Sequence, residues 1–170
     1  VSPILFLQGT QMTCCDSMMR DFAQTIVKVK DRHHLILLAE QILQHIPYQP
    51  ESTSVTTSAI DSFYAGQGVC QDHAHVFIAM CRALQLPARY VSGYLYTSKS
   101  THLASHAWAE VWLDGRWYCF DVSNQMFTPK QHVQLAIGRD YLDAAPVRGM
   151  RQGGGNELMD TLVQVLPSLS

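Results

Sequence analysis

Between Gly66-Gln67-Gly68 and Pro87 the chain contains neither glycine nor proline, and most of its residues are apolar. Cys70, Ala74, Phe77, Ile78, Cys81 and Leu84 fall on one helical stripe, and Val76, Met80 and Ala83 make a second apolar face. A helix apolar on most sides must be surrounded by core, not merely lean on one. After Pro87 the hydrophobic period changes from 3.6 to two. A chain that buries one helix almost completely and then supplies strands belongs to the α+β class.

The remaining elements follow from the same signals. Residues 17–29 can form a helix, and 35–46 do so more clearly, with Leu35, Leu38, Ala39, Ile42, Leu43 and Ile46 on one stripe and Pro47 as the stop. Residues 48–58 are rich in Pro, Ser and Thr and read as loop, with a short helix over about 57–65. The run 69–86 is the central helix, with Asp72 in its first turn where the helix dipole favours an anion. Residues 88–96 alternate as a strand in which Gly93 marks a bulge or kink. A polar loop over 97–105 leads to strands at 106–113 and 116–122, joined by Asp114-Gly115, a pair suited to a two-residue hairpin turn. Residues 132–138 alternate again, 148–155 form a Gly-rich loop, and 158–166 are expected as a last strand. No internal repeat or domain boundary is visible, so residues 1–170 are read as a single domain, long enough to bury roughly 70% of its unfolded surface. A start at Val1, not Met, is expected of a piece of a longer chain.

Composition narrows the functions. With 47% hydrophobic and 15% charged residues the chain is not disordered. A formal charge of -2 exerts no long-range pull on nucleic acid or anionic lipid. No run reaches the ~18 apolar residues of a membrane span, and no basic segment opens a signal peptide. The 5 cysteines, at 14, 15, 70, 81 and 119, are odd in number and contain no Cys-x-x-Cys pair. Reduced thiols and a cytoplasmic setting are therefore expected, without a zinc ribbon.

Cys70 opens the buried helix. A thiol there faces the positive end of the helix dipole, which favours the thiolate, beside free backbone N–H groups that can hold an oxyanion. The alternative is a small core hydrophobe like Cys81. Hairpin parity bears on the choice. A two-residue turn at 114–115 places Trp112 opposite Trp117 and Trp108 opposite Asp121. His106, Trp108, Glu110 and Trp112 then share a face with Trp117, Cys119 and Asp121. His106 and Asp121 become diagonal cross-strand neighbours, about 7–8 Å apart at Cα. An Asp beside a His fixes the tautomer and stabilises the imidazolium. If the buried helix packs on that face, Cys70 meets His106. A three-residue turn would instead put Asp121 on the opposite face.

Other residues read more plainly. His73 and His75 are two apart and point apart on a helix, so they do not share a metal. His33, His34 and His45 are expected on solvated helix faces. Trp108, Trp112 and Trp117 are expected to pack the sheet, with Trp108 able to wall a cleft beside His106. Cys14 and Cys15 would need strained geometry to pair. Glu110 is open between a supporting role at the site and an exposed strand position.

Gly68-Val69-Cys70-Gln71-Asp72-His73-Ala74, Pro87-Ala88-Arg89-Tyr90-Val91-Ser92-Gly93-Tyr94, His106-Ala107-Trp108-Ala109-Glu110-Val111 and Trp117-Tyr118-Cys119-Phe120-Asp121 follow one another in order. In these blocks the chain resembles the transglutaminase-like superfamily, closest to its bacterial branch described as cysteine proteases. The resemblance is densest over 57–122. It implies a papain-like α+β transglutaminase core in which Cys70, His106 and Asp121 match the catalytic Cys, His and Asp. It also implies a β-rich segment before this core, and a side-chain oxyanion donor upstream of Cys70, for which Tyr48, Tyr64 and Gln67 are eligible. His73 departs from the apolar or aromatic residue usual at its position. The expected activity is a thiol-dependent acyl enzyme acting on peptide or amide bonds, with water resolving the acyl-enzyme and no metal or organic cofactor needed. No EF-hand type loop invokes calcium. The alternatives are transfer of the acyl group from glutamine to an amine, and a non-catalytic peptide-binding scaffold. The expected partner is a peptide or protein substrate, not nucleic acid or membrane.

Overall fold

Residues 1–96 and 105–145 are described by the computed structural model. Two short 3-10 turns, Pro3–Phe6 and Gln11–Thr13, precede α1 (Ser17–Ile26), α2 (Arg32–His45), α3 (Ala59–Ala65) and α4 (Cys70–Ala83). These are followed by β1 (Ala88–Leu95), β2 (Ser105–Leu113), β3 (Arg116–Phe120), β4 (His132–Gly138) and α5 (Tyr141–Ala144). The strands form one antiparallel sheet in the order β3-β2-β1-β4. The α+β class is the expected one. The Gly-rich loop over 148–155 and the last strand over 158–166 lie outside the described residues, as does most of the loop before β2.

Caps set the helix starts that periodicity alone blurs. Asp16, Asp31 and Ser58 accept from the backbone N–H of Met19, His34 and Asp61, satisfying donors that the first turn leaves free. α2 therefore begins three residues before its apolar stripe. α3 ends on Gly66 at φ 69°, a left-handed cap that costs glycine no Cβ clash.

α4 is buried from Gln71 to Arg82. It packs on β1 and β2 on one side and on α1, α2 and α3 on the other. Phe77 meets Phe120 of β3 at a ring separation of 5.0 Å. At the C-terminal end the buried guanidinium of Arg82 donates to Phe6 O, Thr13 Oγ1, Ala88 O and Arg139 O over 2.8–2.9 Å. One side chain thus ties both 3-10 turns, β1 and the segment after β4 to the central helix.

The β2–β3 turn has Asp114 at φ 49° and Gly115 at φ 84°. Positive φ at both positions is the signature of the two-residue turn whose twist matches its strands. The register follows: Trp112 pairs with Trp117 and Glu110 with Cys119. Gly93 marks a register shift between β1 and β4, and a Cβ there would stand 2.0 Å from Val133 O.

The face on which α4 rests differs from the one considered above. Its core includes Ala107, Ala109, Val111 and Leu113 of β2 with Phe120 of β3, whereas Trp108 and Cys119 cluster with Val91 on the other side of the sheet. The alanines let a helix approach closely, and the opposite row carries bulk and charge. Trp112 packs edge-on to Trp117 at 5.4 Å, and Glu110 is bound by Arg89 at 2.7 Å. Glu110 is therefore neither a free strand residue nor part of the site. Contact between Cys70 and His106 comes instead from their positions at the ends of their elements, the first residue of α4 and the second of β2.

Candidate active site

Cys70 lies at the first position of α4, half-buried, after a loop that is held on several sides. Gly68 forms an isolated parallel bridge with Tyr48, and its carbonyl accepts from Gln49 N–H over 2.9 Å. A Cβ on Gly68 would come within 2.8 Å of Asp72 Cβ. Asp72 Oδ2 in turn accepts from Val69 N–H at 2.9 Å and from the Thr53 hydroxyl. Burial pushes the Asp72 carboxyl above its ordinary range against those hydrogen bonds.

The two histidines that follow serve the scaffold. Burial lowers the basicity of His73 and so favours its neutral form. Its Nε2 donates to Ile46 O over 2.7 Å, so Nδ1 accepts from the Ser123 hydroxyl over 2.6 Å. His75 Nε2 accepts the backbone N–H of Tyr141 over 3.0 Å. They hold different segments, as two helix positions two apart must.

His106 and Cys70 line one cleft of about 260 Å³, walled by Val55, Tyr90, Ala107 and Tyr141. His106 Nε2 lies 2.7 Å from Asp121 Oδ2. A carboxylate only accepts, so Nε2 carries the proton and Nδ1 is the nitrogen left for the thiol. Burial alone would lower the His106 pKa. The hydrogen bonds to Asp121 and Cys70 and their charges outweigh it and raise the value to about 9.

Asp121 is fully buried just beyond β3, where its backbone bridges Met126. Burial would raise its pKa, but donors from His106, His132 and Asn124 hold it well below the usual carboxylate range. Asn124 gives its backbone N–H to Oδ1 and its side-chain amide to Oδ2, each over 3.2 Å. His132 Nε2 reaches the same Oδ2 over 2.9 Å. Nothing in the sequence marks Asn124 or His132 as part of the site. His132 looked like the polar first residue of an alternating strand, and nothing local says that β4 pairs with β1 and so points it at Asp121.

His106, Asp121 and His132 each offer a ligand atom within 4.8 Å of the others. Their N···O separations of 2.7 and 2.9 Å are those of proton-bridged pairs. Two ligands bound tetrahedrally at the ~2.0–2.1 Å of zinc would stand roughly 3.3 Å apart. As arranged, the group is a hydrogen-bonded network.

Of the upstream oxyanion candidates, Tyr48 lies close enough to Cys70 for the thiol's charge to raise its phenol pKa, after the larger effect of burial. The Tyr64 hydroxyl instead donates to Asp16, and Gln67 is exposed.

The chain is similar in sequence and in fold to known proteins. Residues 20–122 match the family model of the transglutaminase-like superfamily. An uncharacterized protein of Mycobacterium leprae is 32% identical over 166 residues, which are 94% of this chain and 59% of that protein. An uncharacterized protein of Mycobacterium tuberculosis is 37% identical over 143 residues, 76% of this chain and 46% of that one. The chain thus spans about half the length of the curated relatives it matches. A candidate cysteine protease from Cytophaga hutchinsonii is similar in structure, with a TM-score of 0.72 at 32% identity over 84% of this chain and 48% of that one. The periplasmic domain of TgpA from Pseudomonas aeruginosa shares the fold, with a TM-score of 0.55 at 23% identity over 72% of this chain and 47% of that one. With the family model matched from within α1 to just beyond β3, across the segment that carries Cys70, His106 and Asp121, this chain belongs to the transglutaminase-like superfamily.

Proposed function

We propose that this chain is a thiol hydrolase acting on peptide or amide carbonyls, with Cys70 as nucleophile, His106 as general base and acid, and Asp121 as its orienting partner. The observation that carries the reading is the pairing of the two ends of His106. Nε2 is committed to a buried carboxylate, while Nδ1 is left to a thiol at a helix N-terminus.

In this mechanism His106 Nδ1 takes the Cys70 proton, and the sulfur adds to the substrate carbonyl. The oxyanion is held by backbone N–H groups at the start of α4, which have no helical acceptor, with the Tyr48 hydroxyl as second donor. Collapse breaks the C–N bond, and His106 returns the proton to the leaving amine. Water then gives a proton to Nδ1 and adds to the thioester. The second collapse releases the acid and restores the thiol.

The choice of water over an amine rests on similarity to a candidate cysteine protease. Its test is partitioning: a short glutamine-containing peptide is incubated with excess labelled primary amine. Mainly hydrolysed product is expected. Product carrying mostly the label would make the chain a transglutaminase, and rapid alkylation of Cys70 with no product from a panel of peptides would favour a binding scaffold. A cytoplasmic setting is part of the proposal and is checked by cell fractionation.

A further inference from the structure

Asp121 Oδ2 accepts from two imidazoles, of which the proposed mechanism uses one. His106, the histidine facing the cleft, has 11% of its side chain exposed, and His132 has 2%. His132 is therefore closed off from substrate, yet its Nε2 stands only 2.9 Å from the oxygen that orients His106. Its position is determined by its surroundings. The backbone pairs with Leu95 at the end of β1, and Trp108 meets the ring edge-on at 4.7 Å. Nδ1 of His132 is buried without a hydrogen-bond partner among the described residues. Whatever this side chain gives the site, it gives through Nε2.

We propose that His132 is a positioning residue for the Cys70–His106 pair: by donating to Asp121 Oδ2 it holds the carboxylate in place and shares the oxygen on which His106 depends. The inference rests on the catalytic reading above. An acceptor oxygen shared between donors binds each less strongly than one donor alone. Removing Nε2–H of His132 therefore tightens the Asp121–His106 bond and favours the imidazolium to higher pH, while leaving Asp121 freer to swing.

Other groups bear on the same atoms. Asn124, on the turn after β3, also donates to Oδ2. The charge of Asp121 reaches His73 on α4 and Cys119 on β3, and Cys70 faces His106 from α4. None of these groups is itself altered when His132 alone is replaced.

The test needs no substrate. The rate at which iodoacetamide alkylates Cys70 is followed from about pH 4 to pH 10 by mass mapping in wild type, His132→Phe and His132→Gln. Phenylalanine keeps a ring against Trp108 and removes the donor, whereas glutamine restores an N–H. Wild type should show two inflections, the upper one belonging to His106. In His132→Phe that upper inflection should rise by roughly half a unit to one unit, and His132→Gln should return it toward wild type. With a cleavable peptide, kcat should fall about tenfold in the Phe variant and recover in the Gln variant, with KM little changed. An upper inflection identical in wild type and His132→Phe, or a Gln variant no nearer wild type than Phe, overturns the proposal and makes His132 a space filler. A wild type with one inflection, that of an unassisted thiol, overturns the catalytic reading itself. If His132→Phe does not fold, 15N-labelled wild type supplies the decision: an exchange-protected Nε2–H on His132 is expected, and its absence overturns the proposal.

Discussion

Tyr141 donates its backbone N–H to His75 Nε2 over 3.0 Å, so a histidine inside α4 holds the first residue of α5 against the cleft that contains Cys70. That bond exists only while the imidazole nitrogen is an unprotonated acceptor.

Acid should therefore loosen the cleft wall. Burial lowers the His75 pKa from 6.5 to about 4, with Arg82 acting in the same direction and Asp140 opposing. Since the folded value lies below the unfolded one, the unfolded chain binds more protons between them. The contribution of His75 to stability is complete above about pH 6.5 and is lost as pH falls toward 4, amounting to about 3 kcal/mol in all. Urea unfolding of wild type and His75→Gln at pH 7 and pH 4.5 measures it. Glutamine can still accept from Tyr141 but does not titrate, so the variant should lose less stability on acidification. Equal losses would remove His75 from the explanation.

Thiol reactivity should be uneven. Burial pushes Cys81 far up and Cys119 up to about 12, the latter with help from the charge of Asp121. Cys70 instead faces His106, whose imidazole is made more basic, against the effect of burial, by its hydrogen bonds to Asp121 and Cys70. Iodoacetamide at pH 6–7 should modify Cys70 at least tenfold faster than either buried thiol. Mass mapping that finds Cys81 or Cys119 modified first in folded protein would contradict this.

Replacing Asp121 with asparagine should leave the circular dichroism spectrum unchanged and lower kcat by roughly 10³–10⁴-fold, as when a carboxylate that fixes a catalytic tautomer is neutralised. Activity within tenfold of wild type would mean that His106 needs no carboxylate.

Arg82→Met removes four hydrogen bonds at once and leaves the carbonyls of Phe6, Ala88 and Arg139 without their donor. A loss of about 3 kcal/mol or more is expected. Chemical denaturation measures it, and limited proteolysis should find the first cuts before α1. A loss below about 1 kcal/mol would show that water replaces the guanidinium.

The local part of this architecture was legible in the residues. The unbroken apolar run over 69–86 marks α4, and Asp114-Gly115 sets the register that aligns Trp112 with Trp117. From that register alone Asp121 falls near His106. The side of the sheet that α4 covers was not legible, because Ala107 and Ala109 are too small to announce a core face while the tryptophans opposite are large enough to suggest one. His132 was invisible for a different reason. It comes to Asp121 through pairing between β1 and β4, strands separated by a whole hairpin, and side-chain alternation carries no information on which strand is a neighbour.

The two-residue turn at Asp114-Gly115 has a consequence for how this chain can vary. Side chains alternate along β3, so each residue between the turn and Asp121 counts as one half-step. One amino acid inserted in the turn would send the carboxylate to the opposite surface and bring a neighbour of unlike chemistry to His106, even if every strand still formed. The distance from Gly115 to Asp121 thus acts as a reading frame. A substitution at most positions in between is a change of letter, whereas an insertion or deletion there is a frameshift in space.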